Sequence, residues 1–383
     1  MREDYVEDFG PFESAIWLNC AHQGALPRVA AAEAEEAIAW KRAPWNLTTE
    51  RFGSVPQRLR EALGRLIGAP AEEIILGNSA SYGLHLLANG MRWQAGDEAL
   101  LMWGDFPSDI LPWLALEQRG VRVRLIRPQG YVLRPEELLE NITSSTKLLC
   151  LTLAHSFSGY VIDAGALGEI CRAHGVTFVL NASQALGARR FSVASAPVDA
   201  VTNVGFKWLC GPYGTGFCWI RPELRESLEY NQAYWLAMQT ADDLAREPGM
   251  PVLRSDLGAR RYDVFGTANF FNFKPWAASI EYLLDQGLEN IEAYDNQLVT
   301  RLIEGLDPGR YDLHSPRSGP SRSTLVFISH KQPERNSVVY EELRARKIFV
   351  AQRAGKLRFA PHLYNTREDI DQALSVLNSI DFT

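Results

Sequence analysis

The feature that most constrains the fold of this chain is the regular alternation of helix and strand patterns from about residue 55 onward. Val55–Gly68 has apolar residues at helical spacing and ends on a glycine, a common C-cap. Glu72–Gly77 has the short apolar run of a buried strand, and Tyr82–Met91 after it is amphipathic. Strands separated by helices favour a mostly parallel sheet covered on both faces. We therefore expect an α/β fold.

The pattern changes after Phe265. Two long helical stretches, Pro275–Gln286 and Leu288–Leu306, lead into a further apolar strand and a terminal helix. This predicts a second, smaller α+β domain. The first fifty residues have few strand patterns and are expected to drape across both domains. The predicted organisation is an N-terminal segment at 1–50, a large domain at 51–270 and a small C-terminal domain at 271–383.

Composition limits the partners that the chain can have. Lys and Arg number 39 against 46 Asp and Glu, a net charge of −7, and no basic stripe is visible, so a nucleic-acid partner is not expected. The five cysteines form no CxxC pair, which predicts neither a disulfide framework nor a metal site. No run of about eighteen apolar residues occurs and the acidic N-terminus lacks a signal core, so we expect a cytoplasmic protein without a membrane partner.

Two polar segments directly follow predicted strands. Ser79-Ala80-Ser81 lies between a strand and a helix, where hydroxyls and free N–H groups can bind an anion, although a plain serine N-cap explains it equally. Asn181–Gln184 follows an apolar strand. Ligands of open parallel sheets bind beyond the carboxyl ends of the strands, so this segment is well placed for a site, or it simply caps the next helix.

Two basic residues could carry chemistry. Lys207 has aromatic and apolar neighbours before a Gly/Pro-rich turn, so it could be desolvated enough to act as an amine nucleophile. A nucleotide-binding loop is disfavoured because the glycines precede a strand, and a snorkelling lysine is the plain alternative. Arg358 offers a planar fork that suits a carboxylate, although a surface arginine on an edge strand is the commoner case.

In their order and spacing these motifs resemble the class V aminotransferase family of pyridoxal-phosphate (PLP) enzymes, of fold type I. The resemblance runs from Trp17 to Asp371. The lysine motif FKWLCGPYGTG is most similar to the isopenicillin N epimerase-like branch, and DFPSDILPW is kynureninase-like. The family implies a large PLP-binding domain with a mostly parallel, seven-stranded-type sheet, a smaller C-terminal α+β domain, and a homodimer with shared active sites.

The resemblance also implies which residues bind the cofactor. They are Ser79, Ala80, Ser81, Phe106, Ser156, Asn181, Gln184, Lys207 and Thr267. Lys207 would form the Schiff base with PLP, and the serine segment would hold the phosphate. Phe106 matches the residue that stacks on the pyridine ring, whereas Ser156 and Gln184 match positions near the phenolic oxygen. Thr267 matches the residue that reaches the phosphate of the neighbouring subunit.

Three residues are implied at the substrate. Arg358 matches the anchor of the substrate carboxylate. Asn19 and His22 lie on the N-terminal segment, which lines the substrate pocket in relatives. For His22 an acid/base role and a structural hydrogen bond both remain open. Lys207 is the expected general base once the substrate displaces it.

The sequence departs from the family pattern at Asn181, where relatives almost always have Asp. A carboxylate there keeps the pyridine nitrogen protonated, and the protonated ring absorbs electrons from the substrate. With Asn, transamination is less favoured than β-elimination or reprotonation at the α-carbon. Because Asn and Asp are nearly isosteric, we expect Asn181→Asp to change stability little. No Cys lies in 331–383, which argues against a persulfide-forming desulfurase.

The sequence therefore predicts a PLP-dependent enzyme whose small-molecule substrate is an α-amino acid. C–S lyase-type β-elimination in bacterial specialised metabolism, such as antibiotic biosynthesis, is the expected reaction. An amino-acid epimerase, an aminotransferase and a decarboxylation-coupled deaminase are the alternatives. A further alternative is a catalytically altered PLP-binding or regulatory homologue, which Asn181 favours and Lys207 and Arg358 oppose.

Overall fold

The computed structural model describes residues 5–229, 233–247 and 249–381. The strands are β1 (Ile16–Trp17), β2 (Ile74–Gly77), β3 (Glu98–Met102), β4 (Arg122–Ile126), β5 (Thr146–Thr152), β6 (Thr177–Asn181), β7 (Ala200–Val204), β8 (Gly216–Ile220), β9 (Tyr311–Leu313), β10 (Val326–His330), β11 (Ile348–Phe349), β12 (Ala351–Arg353) and β13 (Lys356–Phe359). The α-helices are α1 (Arg28–Arg42), α2 (Thr49–Ile67), α3 (Ala80–Gly90), α4 (Leu111–Leu114), α5 (Pro135–Asn141), α6 (Ala164–Ala173), α7 (Pro222–Glu226), α8 (Trp235–Met238), α9 (Ala241–Ala245), α10 (Phe270–Gln286), α11 (Leu288–Gly305), α12 (Asn336–Ala345) and α13 (Arg367–Ser379).

The larger part of the molecule is built on a seven-stranded sheet in the order β2-β8-β7-β6-β5-β3-β4. Strands β4, β3, β5, β6 and β7 pair in parallel, and β8 runs antiparallel to both of its neighbours. The central strands are buried along their whole length, as continuous apolar runs in a covered sheet should be. The predicted α/β fold with a mostly parallel sheet is confirmed.

The C-terminal part contains a four-stranded antiparallel sheet in the order β12-β13-β10-β9, packed with α11, α12 and α13. This is the smaller α+β unit expected from the sequence. The N-terminal strand β1 pairs in parallel with β11, so the start of the chain joins this unit. Helix α10 packs against α1 and α2. The domain bounds drawn from the sequence stay a prediction.

Helix α2 shows how well a local pattern predicted an element. It ends at Ile67, and Gly68 follows in the left-handed conformation with φ of 69°, which confirms the expected glycine cap. It begins at Thr49 instead of Val55, and Pro56 lies inside it. The residues of the helix before Val55 are mostly exposed, so apolar residues at helical spacing do not mark the earlier start.

The parallel strands bring four loops to one edge of the sheet. The segments that follow β3, β5, β6 and β7 all leave at the carboxyl ends of these strands, where ligands of open α/β sheets bind. Across the described residues no helix is long and apolar enough to cross a membrane. The same part of the chain contains no group of three or more His, Cys, Asp or Glu side chains that could hold a metal ion.

Candidate active site

A cavity of about 390 Å³ opens at this edge of the sheet. The predicted site residues that line it are His22, Ser79, Ala80, Ser81, Phe106, Ser156, Asn181, Gln184, Lys207 and Arg358. Asn19 lies directly behind Arg358, and Thr267 lies in a separate cavity with Arg260. Residues that are far apart in the chain therefore meet around one space, whereas Thr267 is not among them.

Lys207 is a partly buried cation that lines the cavity. The pKa of its amine is lowered to about 8, mainly by burial and also by the nearby Arg358 charge, while the charge of Asp109 acts in the opposite direction. Its Nζ lies 5.6 Å from the centroid of the Phe106 ring. A lysine in such surroundings has an appreciable neutral fraction near pH 7, and only the neutral amine is a nucleophile.

The N-terminal segment holds the lysine loop in place. The Gly24 N–H donates to the Phe206 carbonyl at 2.8 Å. A Cβ at Gly24 would collide with the Lys207 carbonyl oxygen, so only glycine allows this approach. Gln184 also links the N-terminal segment to the lysine loop. Its Oε1 accepts from Trp208 Nε1 at 3.0 Å, and its Nε2 donates to the Ala21 carbonyl at 3.2 Å.

The N-terminus of α3 lines one end of the cavity. Ser79 is its N-cap, and the Ser79 hydroxyl accepts from the Tyr82 N–H at 3.3 Å. Ala80 and Ser81 form the first turn, whose free N–H groups and dipole favour an anion. The serine cap and an anion site are therefore compatible, because the Ser79 hydroxyl pairs with one backbone N–H of the first turn and the other N–H groups remain available to an anion.

Asn181, at the end of β6, is held at both ends of its amide. Its Oδ1 accepts from the Ser183 N–H at 3.0 Å, and its Nδ2 donates to Asp109 Oδ1 at 2.9 Å and to Oδ2 at 3.1 Å. Because a backbone N–H can only donate, the first contact fixes which way the amide points. Burial, together with the charge of Asp105, raises the pKa of the Asp109 carboxyl well above its ordinary value.

Sequence reasoning missed Asp109. Its segment, DFPSDILPW, was used only for the stacking role of Phe106, although the second Asp of that segment was visible. Asp109 is 1% exposed, and Asp105 in the same segment accepts from the Thr152 hydroxyl at 2.6 Å. The available signal was an acidic residue in the segment that follows the buried parallel strand β3, at the edge of the sheet where ligands bind.

The other end of the cavity carries the predicted substrate residues. The buried Arg358 guanidinium donates from Nη2 to Asn19 Oδ1 at 3.2 Å, while its Nε has no hydrogen-bond partner among the described residues. Burial lowers the pKa of Arg358 to about 10, with Arg353 adding to the effect. Partial burial likewise lowers the pKa of His22, and the charges of Arg353, Arg358 and Lys207 act in the same direction.

The remaining predicted contact of the ring is Phe106. Its side chain is 39% exposed and stacks on Phe157 with 6.2 Å between the ring centroids. Phe106 lines the cavity together with Lys207, and its stacking role on the cofactor ring stays a prediction.

The residues present fit PLP, the cofactor that the resemblance implies. The buried Ser183 hydroxyl lines the cavity without a hydrogen-bond partner in the described chain, as expected of a group that waits for a ligand. Lys207 supplies the amine and the N-terminus of α3 supplies a place for a phosphate. No carboxylate side chain lies among the described lining residues, so nothing there repels an anion.

A comparison with known protein families gives one match. The sequence model of the family Aminotransferase class-V matches residues 28–373. Isopenicillin N epimerase of Streptomyces clavuligerus is 26% identical over 392 residues, which covers 96% of this chain and 95% of that protein. A protein named as a probable cysteine desulfurase of Methanothermobacter thermautotrophicus is 27% identical over 247 residues, and this match covers 64% of the chain and 60% of that protein.

Solved structures share the fold. A C-DES variant with glycine covalently linked to its PLP cofactor superposes with a TM-score of 0.88 at 19% identity, covering 98% of this chain and all of that one. A second structure, of the cystine C–S lyase C-DES with its product cysteine persulfide, gives a TM-score of 0.86 at 20% identity over 96% and 98% of the two chains.

Proposed function

Because the chain belongs to the aminotransferase class-V family and is a PLP-dependent enzyme, we propose that it catalyses C–S lyase-type β-elimination on an α-amino acid. When bound, PLP draws electrons away from the α-carbon of the amino acid, which no protein side chain can do. Ser79, Ala80 and Ser81 would hold its phosphate at the N-terminus of α3, and Lys207 would bind it covalently.

The chain's own residues then position the substrate and move its protons. Arg358 binds the α-carboxylate, since a buried guanidinium with an unpaired Nε suits a planar anion. Lys207 Nζ takes the α-proton, the Cα–H electron pair forms a Cα–Cβ double bond, and thiolate leaves with the C–S pair. Water then converts the released 2-aminoacrylate to pyruvate and ammonia.

The observation that carries this choice is the neutral, fixed amide of Asn181. Its oxygen already accepts from Ser183 and its nitrogen donates to Asp109, so position 181 offers the ring no carboxylate. Transamination depends most on a ring nitrogen that is kept protonated, whereas elimination relieves the developing charge by expelling a leaving group. The site therefore supports elimination over transamination.

The test is incubation of the purified holoenzyme with S-substituted cysteines and with plain amino acids. Thiol and pyruvate in equal amounts are expected from the former, and a Lys207→Ala variant is the control for uncatalysed release. Formation of the intact keto acid of each substrate, with loss of its amino group to the cofactor, would replace the proposal by transamination.

Epimerisation is the second candidate, and His22 favours it. Inversion at the α-carbon needs a proton donor on the face opposite the base, and His22 lines the same cavity as Lys207. The match to the epimerase also spans nearly the whole of both chains. Turnover in D2O distinguishes the two reactions. Epimerisation is supported if the inverted amino acid carries deuterium at its α-carbon and if His22→Gln no longer forms this product. Pyruvate formation without inversion excludes epimerisation.

We further propose a homodimer in which Thr267 reaches the cofactor phosphate of the partner. Thr267 lies outside the Lys207 cavity of its own subunit, and the nearby Phe265 and Phe271 are 64% and 46% exposed. Such exposed aromatic residues are typical of interfaces. Sedimentation is expected to show a dimer, and Thr267→Ala to bind PLP more weakly. A monomer that retains PLP fully on dilution would contradict this. A cytoplasmic role in bacterial specialised metabolism is part of the same proposal.

A further inference from the structure

A second arginine shares the substrate end of the cavity with Arg358. Strands β12 and β13 form a hairpin in which Ala351 faces Arg358 and Arg353 faces Lys356. Residues directly opposite, and residues two apart on one strand, lie on the same face of a sheet. Arg353 and Arg358 are therefore diagonal neighbours on one face, and both line the cavity.

The turn keeps this spacing fixed. Ala354 and Gly355 both have positive φ, at 49° and 72°, as in the tight two-residue turns that join antiparallel strands. Such a turn leaves no freedom in the register. The distance between the two guanidinium stems is therefore set by the backbone, and only the side-chain rotamers can vary.

Arg353 has no acidic partner in the part of the chain that the structure describes. Its one hydrogen bond goes from Nη1 to the carbonyl of Gln352, at 3.0 Å, and its side chain is exposed. Its charge instead acts on other cationic groups, since it lowers the pKa of both His22 and Arg358. Arg353 and Arg358 repel each other on one face of the hairpin, and an anionic ligand bound between them would reduce this repulsion.

Once cofactor and substrate are bound, Arg353 is the cation of the site that still lacks an anionic partner. The cofactor phosphate belongs to the N-terminus of α3, Lys207 is joined to the cofactor, and the α-carboxylate belongs to Arg358. The described lining residues include no carboxylate that could pair with the third cation. The amino acid itself is the remaining source of an anion, and only its side chain is still free to provide one.

We propose that Arg353 binds an anionic group on the side chain of the substrate. This rests on the proposed function, because it takes Arg358 as the anchor of the α-carboxylate. The preferred substrates are then α-amino acids whose leaving group carries a carboxylate, such as S-carboxyalkyl cysteines or the disulfide of two cysteines. Uncharged S-alkyl cysteines are poor substrates.

The first experiment compares S-carboxymethyl-L-cysteine with its uncharged isostere S-carbamoylmethyl-L-cysteine. The acid is expected to have the higher kcat/KM, by roughly 10- to 100-fold, as for hydrogen bonds to a charged group. Arg353→Gln should remove this preference, because kcat/KM for the acid falls by much more than kcat/KM for the amide. The control is Lys356→Gln, the cross-strand neighbour, which lies over the Tyr131 ring and outside the cavity. An equal loss on both substrates, or no loss, overturns the proposal.

The second experiment does not depend on turnover. Binding of succinate, glutarate and adipate to the holoenzyme is compared by calorimetry with binding of their mono-amides. One of the dicarboxylates is expected to bind roughly 10-fold more tightly than its mono-amide, and Arg353→Gln to abolish the difference. If neither cysteine derivative releases thiol but this difference is present, the proposed reaction is wrong and the anion site stands. If thiol is released and no dicarboxylate is preferred, the anion site is wrong and the reaction stands.

Discussion

The two ends of the cavity are built differently. At the end near Asn181, the amides of Asn181 and Gln184 already have protein partners, and the segments that carry the site residues follow neighbouring strands of one sheet. At the end near Arg358, the guanidinium groups of Arg353 and Arg358 both line the cavity, and Arg358 Nε has no hydrogen-bond partner among the described residues. The first end is pre-organised for a constant cofactor, and the second holds unpaired charge for an arriving substrate.

Lys207 lies between the two ends, and its loss should have the largest effect. Lys207→Ala is expected to abolish turnover and covalent cofactor binding. In the unaltered protein, borohydride reduction should fix the mass of the cofactor on the peptide that contains Lys207. Lys331→Ala, an exposed site, is the control and should behave as the unaltered protein. A label on another lysine would refute the assignment.

Arg358→Gln tests the substrate end alone. Removing a charge-assisted pair costs about 1.5–3 kcal/mol, so kcat/KM should fall roughly 10- to 100-fold while PLP occupancy is unchanged. The measurement is steady-state kinetics together with the absorbance of the bound cofactor. Loss of the cofactor along with activity would show that Arg358 supports the cofactor end, and the contrast between the two ends would fail.

Asn181→Asp tests the cofactor end, and here the structure changes the expectation. The sequence alone predicted little change in stability, but Asp109 lies 2.9 Å from Asn181 Nδ2, so the variant brings two carboxyl groups together and removes a donor. Unfolding free energy should fall by about 1–3 kcal/mol, the cost of a broken buried hydrogen bond. The reciprocal double variant Asn181→Asp/Asp109→Asn restores one donor and one acceptor and should recover most of the loss in denaturant melts. Equal stability of all three proteins would contradict this.

The smallest expected effect is the pH dependence of cofactor uptake. Because the pKa of Lys207 is lowered to about 8, the neutral amine appears as the pH rises through that value. The neutral fraction is about 9% at pH 7, about 50% at pH 8 and about 91% at pH 9. The PLP incorporation rate should therefore rise roughly fivefold between pH 7 and pH 8, about tenfold in all, and level off above about pH 9. Arg358→Gln should move the midpoint upward, since Arg358 lowers this pKa, and Asp109→Asn should move it downward. A rate that keeps rising to about pH 10 would indicate an ordinary lysine.

At both ends of the cavity, the sequence could predict what local patterns encode but not the contacts between distant segments. The sheet strands, α3 and the loop of Lys207 are predicted by local apolar runs and turn residues, and the structure contains them as expected. The bond between Asp109 and Asn181 joins two loops 72 positions apart, and no local pattern encodes it. Arg353 likewise belongs to no motif, and only the register of its hairpin shows that it shares a face with Arg358.

The contact between Asn19 and Arg358 joins residues 339 positions apart. Because β13 follows every strand of the seven-stranded sheet along the chain, it leaves the ribosome after them. The reactive amine of Lys207 is thus synthesised before Arg358, the arginine expected to anchor the substrate. A nascent chain that has reached only the sheet therefore carries the reactive amine without the residue that selects the substrate.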